Sequence, residues 1–280
     1  MNSRRLLVVT GAAGEIATAI RPFLAERFAA VRLVDVHPIV DHQTHEECIV
    51  GDLHDPVVIR SVLREADALI HLAGIKSDVL THLAGLKLDA PWAELQRVNA
   101  ELVDAICTGA EEQGVRRIAL ASSMHVMGLY RRAQRILPEM PARPDSAYAT
   151  SKLTMESIGR WHALRTGARV CSVRIGAYRA EREYAEPCAW IGGEDLARLF
   201  EHVLYHPRGN VPVVHAVAPY RGDDCGQRRL RWQHGFAFLH KGGSRRRDFA
   251  RMSMWYPNDQ LAREYRGGEF ASRTLRPPGV

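Results

Sequence analysis

The chain has 280 residues, 46% hydrophobic and 25% charged, a balance that excludes a disordered chain. No run approaches the roughly 18 consecutive apolar residues of a membrane span, and only Leu6–Val9 follow the basic start, so a cytoplasmic protein without a leader is expected. The net charge is +6, and the positive excess lies in residues 221–280, which hold 13 Lys+Arg against 6 Asp+Glu; no nucleic-acid motif accompanies it, so it reads as a solvated surface, and neither nucleic acid nor membrane is expected as a partner.

In chain order, apolar runs and helical spacings alternate. Leu6–Thr10 reads as a buried strand, and Glu15–Phe28 as a helix that Pro22 is expected to kink. Strands follow at Val31–Val36 and Cys48–Val50, then a helix from Pro56 to about Ala66 and a strand at Ala68–Leu72. A single long helix is expected over Trp92–Gln113, a strand over Arg117–Ser122, a helix over Ser146–Thr166 and a strand over Val170–Ile175. Asp195–His206 reads as a helix and Val211–Ala216 as a seventh strand. Strand–helix–strand units of this length imply right-handed crossovers and a parallel sheet covered on both faces. The expected fold is thus α/β, a Rossmann-type doubly wound sheet with a small C-terminal cap or tail. Residues 1–218 form the dinucleotide-binding domain, and 219–280 a small basic substrate-side segment that is not an independent domain. Cys48, Cys107, Cys171, Cys188 and Cys225 are widely spaced without a CxxC pair, and His202 and His206 lack a third ligand, so no disulfide or metal site is expected.

The first strand runs into Thr10-Gly11-Ala12-Ala13-Gly14-Glu15-Ile16-Ala17. Gly11 can turn where a Cβ would clash, Gly14 lets the backbone approach a pyrophosphate, and Ala17 lets the helix pack close; the alternative is a tight structural turn. Asp35, 24 residues after Gly11, can accept both hydroxyls of an adenosine ribose and would repel a 2′-phosphate, which favours NAD over NADP. Arg32 and His37 lie close enough in sequence to soften that preference. Asp52-Leu53 follows the third strand, where adenine would lie; Asp52 reads equally as a turn residue.

Tyr148 and Lys152 are i and i+4 on one helical face, so an ammonium can sit near the phenol and favour phenolate. Tyr148 could then exchange a proton with substrate while nicotinamide exchanges hydride. Ser122-Ser123 closes the fifth strand at the carboxyl edge, where α/β sheets bind ligands. Asn99 can bond backbone and water behind Lys152, or be a buried structural amide.

Together TGAAGEIA, Asp35, GDLHD, HLAG, Asn99, the Ser-Ser strand end and YATSK resemble the extended short-chain dehydrogenase/reductase superfamily of the NAD-dependent epimerase/dehydratase type, over about residues 5–216. Within it the chain is most similar to uronate dehydrogenases, through VTGAAGEIATAIRP, ASSMHVMG, PARPDSAYATSK, VRIG and QLAREYRGGEF. The resemblance implies NAD-linked oxidation of the anomeric hydroxyl of a uronate to a lactone. It implies a catalytic set of Ser123, Tyr148 and Lys152. Its cofactor set comprises Gly11, Ala13, Gly14, Glu15, Ile16, Asp35, Asp52, Leu53, Leu72, Ala73, Gly74 and Asn99, with Tyr148 and Lys152 again. It also implies a substrate role for His125, and a homodimer formed through two helices of each subunit.

Where the family carries Asn, Ser and Ser, this chain has Met124, Lys76 and Ala177. The segment expected to supply a carboxylate-binding Arg is shorter near Tyr184-Ala185, with Arg179, Arg182 and Arg174 as possible substitutes. The stretch from Lys76 to Asp89 gains Leu80, Leu83, Leu86 and Leu88. These changes suggest a less polar substrate. The alternatives are therefore a ketone reductase of a secondary-metabolite pathway, a sugar-nucleotide epimerase or dehydratase, and a non-catalytic NAD-binding protein.

Overall fold

The computed structural model describes residues 6–75, 90–178, 189–206, 211–219, 231, 235–240 and 258–275. Strand β1 (Leu6–Thr10) leads into helix α1 (Glu15–Ala25), β2 (Ala30–Asp35), β3 (Glu46–Val50), α2 (Pro56–Leu63) and β4 (Ala68–His71). After the gap come α3 (Trp92–Gln96), a π-helical turn over Arg97–Glu101, and α4 (Leu102–Glu112). Then follow β5 (Arg117–Ser123), a 3-10 turn over Met124–Met127, α5 (Ala147–Thr166) and β6 (Arg169–Ile175). The short strands β7 (Ala177–Tyr178) and β8 (Trp190–Ile191) precede α6 (Gly193–Tyr205) and β9 (Val213–Ala216), and α7 (Gln260–Glu264) and α8 (Glu269–Leu275) close the described chain.

Seven strands form one parallel sheet in the order β3-β2-β1-β4-β5-β6-β9, as the alternation of runs and helices predicts. The period-2 alternation of β1 sends Leu7 and Val9 into the core under α1 and α6, and Val8 into the core under α2, α4 and α5. Both faces are dry, so the strands read as continuous apolar runs. Order reverses between β1 and β4, and that crevice at their carboxyl ends is where such sheets bind ligands.

Helix α1 continues through Pro22; the carbonyl that the proline orphans belongs to Thr18, an exposed residue that water can serve. One expectation is corrected. The helix expected over 92–113 is interrupted by the π turn at Arg97–Glu101. The paired strands β7 and β8 were too short to show a period in the sequence.

Candidate active site

Gly11 sits at the crevice with φ +69°, and a Cβ there would stand 2.5 Å from the Ala73 amide nitrogen. The turns after β1 and β4 therefore touch, which only glycine permits. Gly14 precedes α1, and no side chain caps the helix there, so its first-turn amides stay suited to an anion. Ala13, Gly14 and Glu15 are exposed on this edge, while Ile16 packs against the core. Leu72 and Ala73 are half-buried opposite.

Asp35 ends β2 with one carboxylate oxygen accepting from the Ala13 amide at 3.0 Å and the other from the His37 amide at 3.0 Å. Its charge thus lies over the glycine turn. Arg32 is committed elsewhere: its Nε donates to Glu47 at 2.7 Å, and Nη1 to the carbonyls of Val62 and Arg64 at 2.8 and 2.9 Å. It does not soften Asp35 toward a 2′-phosphate. Asp52 accepts from the amide and ring of His54, both at 2.9 Å, and the amide bond first of all holds its carboxyl below the usual range. This is turn geometry, with Leu53 buried behind it.

Ser123 closes β5 and caps the 3-10 turn, its Oγ accepting from the His125 amide at 3.2 Å. Ser146 caps α5, accepting from the Ala149 amide at 3.1 Å. Two residues after this cap Tyr148 is half-exposed, and one turn further Lys152 lies buried on the same face. Burial pulls the Lys152 ammonium down from 10.5 to about 8. A Cβ on Gly74 would stand 2.8 Å from Lys152 Nζ and 2.7 Å from Asn99 Oδ1, so these groups converge at the β4 edge.

Asn99 is fully buried inside the π turn. Its Oδ1 accepts from the Ile75 amide at 2.9 Å, and its Nδ2 donates to the Ile75 carbonyl at 2.8 Å and to Ser151 Oγ at 3.0 Å. The amide ties the loop after β4 to α5, the structural alternative raised by the sequence. His71 ends β4 with Nδ1 2.7 Å from Thr10 Oγ1; burial, then nearby Lys152, holds it at about 3, so it is neutral.

His125 lies edge-on to Tyr148, with ring centroids 6.1 Å apart, and to Phe270 of α8 at 5.0 Å. Its Nδ1 is 2.7 Å from Oδ2 of Asp145, a fully buried carboxylate. Sequence reasoning quoted Asp145 inside PARPDSAYATSK without giving it a role; its place three residues before Tyr148 was the available signal. Phe270 ends the quoted QLAREYRGGEF, likewise without a role given to it.

Met124 packs partly buried between the Met127–Tyr130–Ile136 cluster and Val217. Ala177 is half-buried against Trp190. Lys76, the Leu-rich stretch, Arg179, Arg182, Tyr184 and Ala185 lie outside the described residues. Arg174 is no carboxylate partner for a ligand: it is buried, and Glu156 grips it at 2.8 Å through each carboxylate oxygen. Among the described residues no group of three His, Cys, Asp or Glu could hold a metal ion, and no helix is long and apolar enough to cross a membrane.

The chain is 30% identical over 217 residues to uronate dehydrogenase of Pseudomonas putida (strain KT2440), covering 77% of each. It is 28% identical over 217 residues to an NAD-dependent glucose-6-phosphate dehydrogenase of Haloferax volcanii, covering 70% of this chain and 78% of that one. Its structure is similar to that of a mutant uronate dehydrogenase from Agrobacterium tumefaciens complexed with NAD, with a TM-score of 0.78 and 27% identity over 96% of this chain and 97% of the other. Residues 7–186 match the NAD dependent epimerase/dehydratase family, and the chain belongs to that family.

Proposed function

We propose that the chain is an NAD-dependent dehydrogenase that oxidises the anomeric hydroxyl of a hexuronate, such as galacturonate or glucuronate, to the lactone. This reading is supported by buried Lys152 one helical turn from Tyr148 and beside Gly74 at the β4 edge, and by Ser123 at the end of β5, two residues before the His125 ring that lies edge-on to Tyr148. Bound NAD supplies the hydride acceptor. Ser123 and Tyr148 hold the reacting oxygen, Tyr148 takes its proton, and Lys152 favours the phenolate that does so. Gly11, the amides at the start of α1 and Asp35 bind the dinucleotide. Residues 1–218 are read as the dinucleotide-binding body and 219–280 as the substrate-side segment, because Phe270 reaches His125 from the tail. The setting is read as cytoplasmic and the assembly as a homodimer.

Named relatives that act on uronates and on glucose 6-phosphate favour a sugar over the apolar ketone suggested by Met124 and Ala177. Both of those side chains also pack against the protein itself. Purified protein mixed with galacturonate is expected to reduce NAD and to leave NADP nearly untouched, as followed by absorbance of the reduced nicotinamide. Tyr148→Phe should abolish turnover while NAD still raises the melting temperature. Turnover of apolar ketones with none of either uronate would refute the substrate assignment.

A further inference from the structure

We infer that Asp145 is a positioning residue that fixes the tautomer of His125, so that the substrate subsite beside Tyr148 accepts a hydrogen bond from a hydroxyl neighbouring the reacting carbon. This inference rests on the sugar-oxidising reading of the proposed function and on the substrate role that the resemblance implies for His125. The Asp145 carboxylate is fully buried and engaged at both oxygens: Oδ2 lies 2.7 Å from His125 Nδ1, and Oδ1 accepts from Ser146 Oγ at 2.8 Å. A carboxylate only accepts, so the hydrogen between Asp145 and His125 sits on Nδ1. In the neutral ring Nε2 is then bare and acts as an acceptor.

The slot that holds this carboxylate is built from distant parts of the chain. A Cβ on Gly128 would stand 1.8 Å from Asp145 Oδ2, and one on Gly267 would stand 2.0 Å from it. One glycine follows the 3-10 turn and the other lies in the C-terminal segment, where the Gly267 amide donates to the Gly128 carbonyl at 2.8 Å. Thr274 Oγ1 donates to the Asp145 carbonyl, and the Asp145 amide donates to the His125 carbonyl at 3.4 Å. Phe270 packs against the imidazole from the same segment. Backbone, carboxylate and ring are thus held together, the arrangement by which a buried Asp orients a functional His.

The consequence is chemical. A bare Nε2 rewards a donor and turns away a plain carbonyl or an ether oxygen at that position. Next to the anomeric carbon of a pyranose lie the ring oxygen and the C2 hydroxyl, and only the hydroxyl donates. The subsite therefore selects sugars with a hydroxyl adjacent to the reacting carbon.

Two arms test this on the full-length protein. In the first, histidine-labelled protein at mildly alkaline pH is studied by long-range nitrogen–proton NMR, with His125 assigned by difference from His125→Gln. Wild type should show Nδ1 protonated and Nε2 bare, and Asp145→Asn should lose that bias. Protonation of Nε2 in the wild-type ring would overturn the inference whatever the substrate is.

In the second arm, kcat/KM is measured for galacturonate and its 2-deoxy analogue. Wild type should prefer galacturonate, and Asp145→Asn should shrink the preference about tenfold, the scale of one hydrogen bond, with KM for NAD unchanged. An equal loss on both sugars would mean a merely structural Asp145 and would overturn the inference. If Asp145→Asn fails to fold, His125→Gln must remove the preference instead. If wild type oxidises neither sugar, the substrate reading fails and the NMR arm alone decides the role of Asp145.

Discussion

Lys152 is a buried amine at the carboxyl edge of the sheet. Burial holds its folded-state pKa at about 8, against 10.5 when exposed. Between those values the unfolded chain binds more protons than the folded one, so stability must rise with pH across that window. Below pH 8 the buried charge costs of order 3 kcal/mol, and this cost is relieved as the amine deprotonates. Cofactor-free wild type should therefore gain stability from pH 8 to 10.5 relative to Lys152→Met, as followed by chemical denaturation at each pH. Parallel curves for the two proteins would show that the amine is not desolvated. The Tyr148–Lys152 pair was legible in the sequence because i and i+4 on a helix meet by local geometry alone. Asp145 was not, because what buries it is glycine and threonine from the far end of the chain.

At the scale of elements, α5 carries more than Tyr148 and Lys152. Glu156, four residues beyond Lys152, accepts from Ser122 Oγ on β5 at 2.5 Å and grips Arg174 on β6. Arg174 Nη1 also donates to the Pro138 carbonyl at 3.1 Å. The helix is thereby locked to the two strands whose ends carry Ser123 and Ile175. Arg174→Leu should cost about 3–5 kcal/mol, since it strands a buried carboxylate. Glu156→Leu combined with Arg174→Leu should recover much of that loss, as read from urea midpoints. A double variant as unstable as the single one would show that packing, not charge, governs the site. Every strand of the seven-stranded sheet was readable from apolar runs with turn residues between them. The π turn was not, because its extra residue leaves the surrounding helical spacing nearly intact while turning Asn99 toward Ile75 and Ser151.

For the whole molecule, the exposed flank of α5 shows what the isolated chain leaves unpartnered. Trp161 is 55% and Leu164 78% exposed, one turn apart, with Arg165 over the Trp161 ring. Arg165 also pairs with Glu111 at the end of α4, so the two helices present one joint face. The homodimer proposed above would account for these large apolar groups in water if it buried this face. Trp161→Glu with Leu164→Glu should convert a dimer to a monomer in light scattering, with NAD binding retained. A wild type that runs as a monomer at all concentrations would end that account. Composition alone could not reveal this face, since scattered exposed apolar residues are ordinary.

The pairing of 264–267 with 128–132 has a consequence for the order in which the protein is made. The Arg132 amide donates to the Glu264 carbonyl at 2.7 Å and the Arg266 amide to the Tyr130 carbonyl at 3.0 Å, so a stretch synthesised long after this turn lies beside it. All seven sheet strands and the glycine turn precede that stretch. A nascent chain thus has Gly11, Asp35 and the start of α1 in hand while His125 still lacks its Phe270 contact and Asp145 its bond from Thr274. On the proposed reading, synthesis itself separates the two half-sites in time, the hydride acceptor's place first and the sugar's place later.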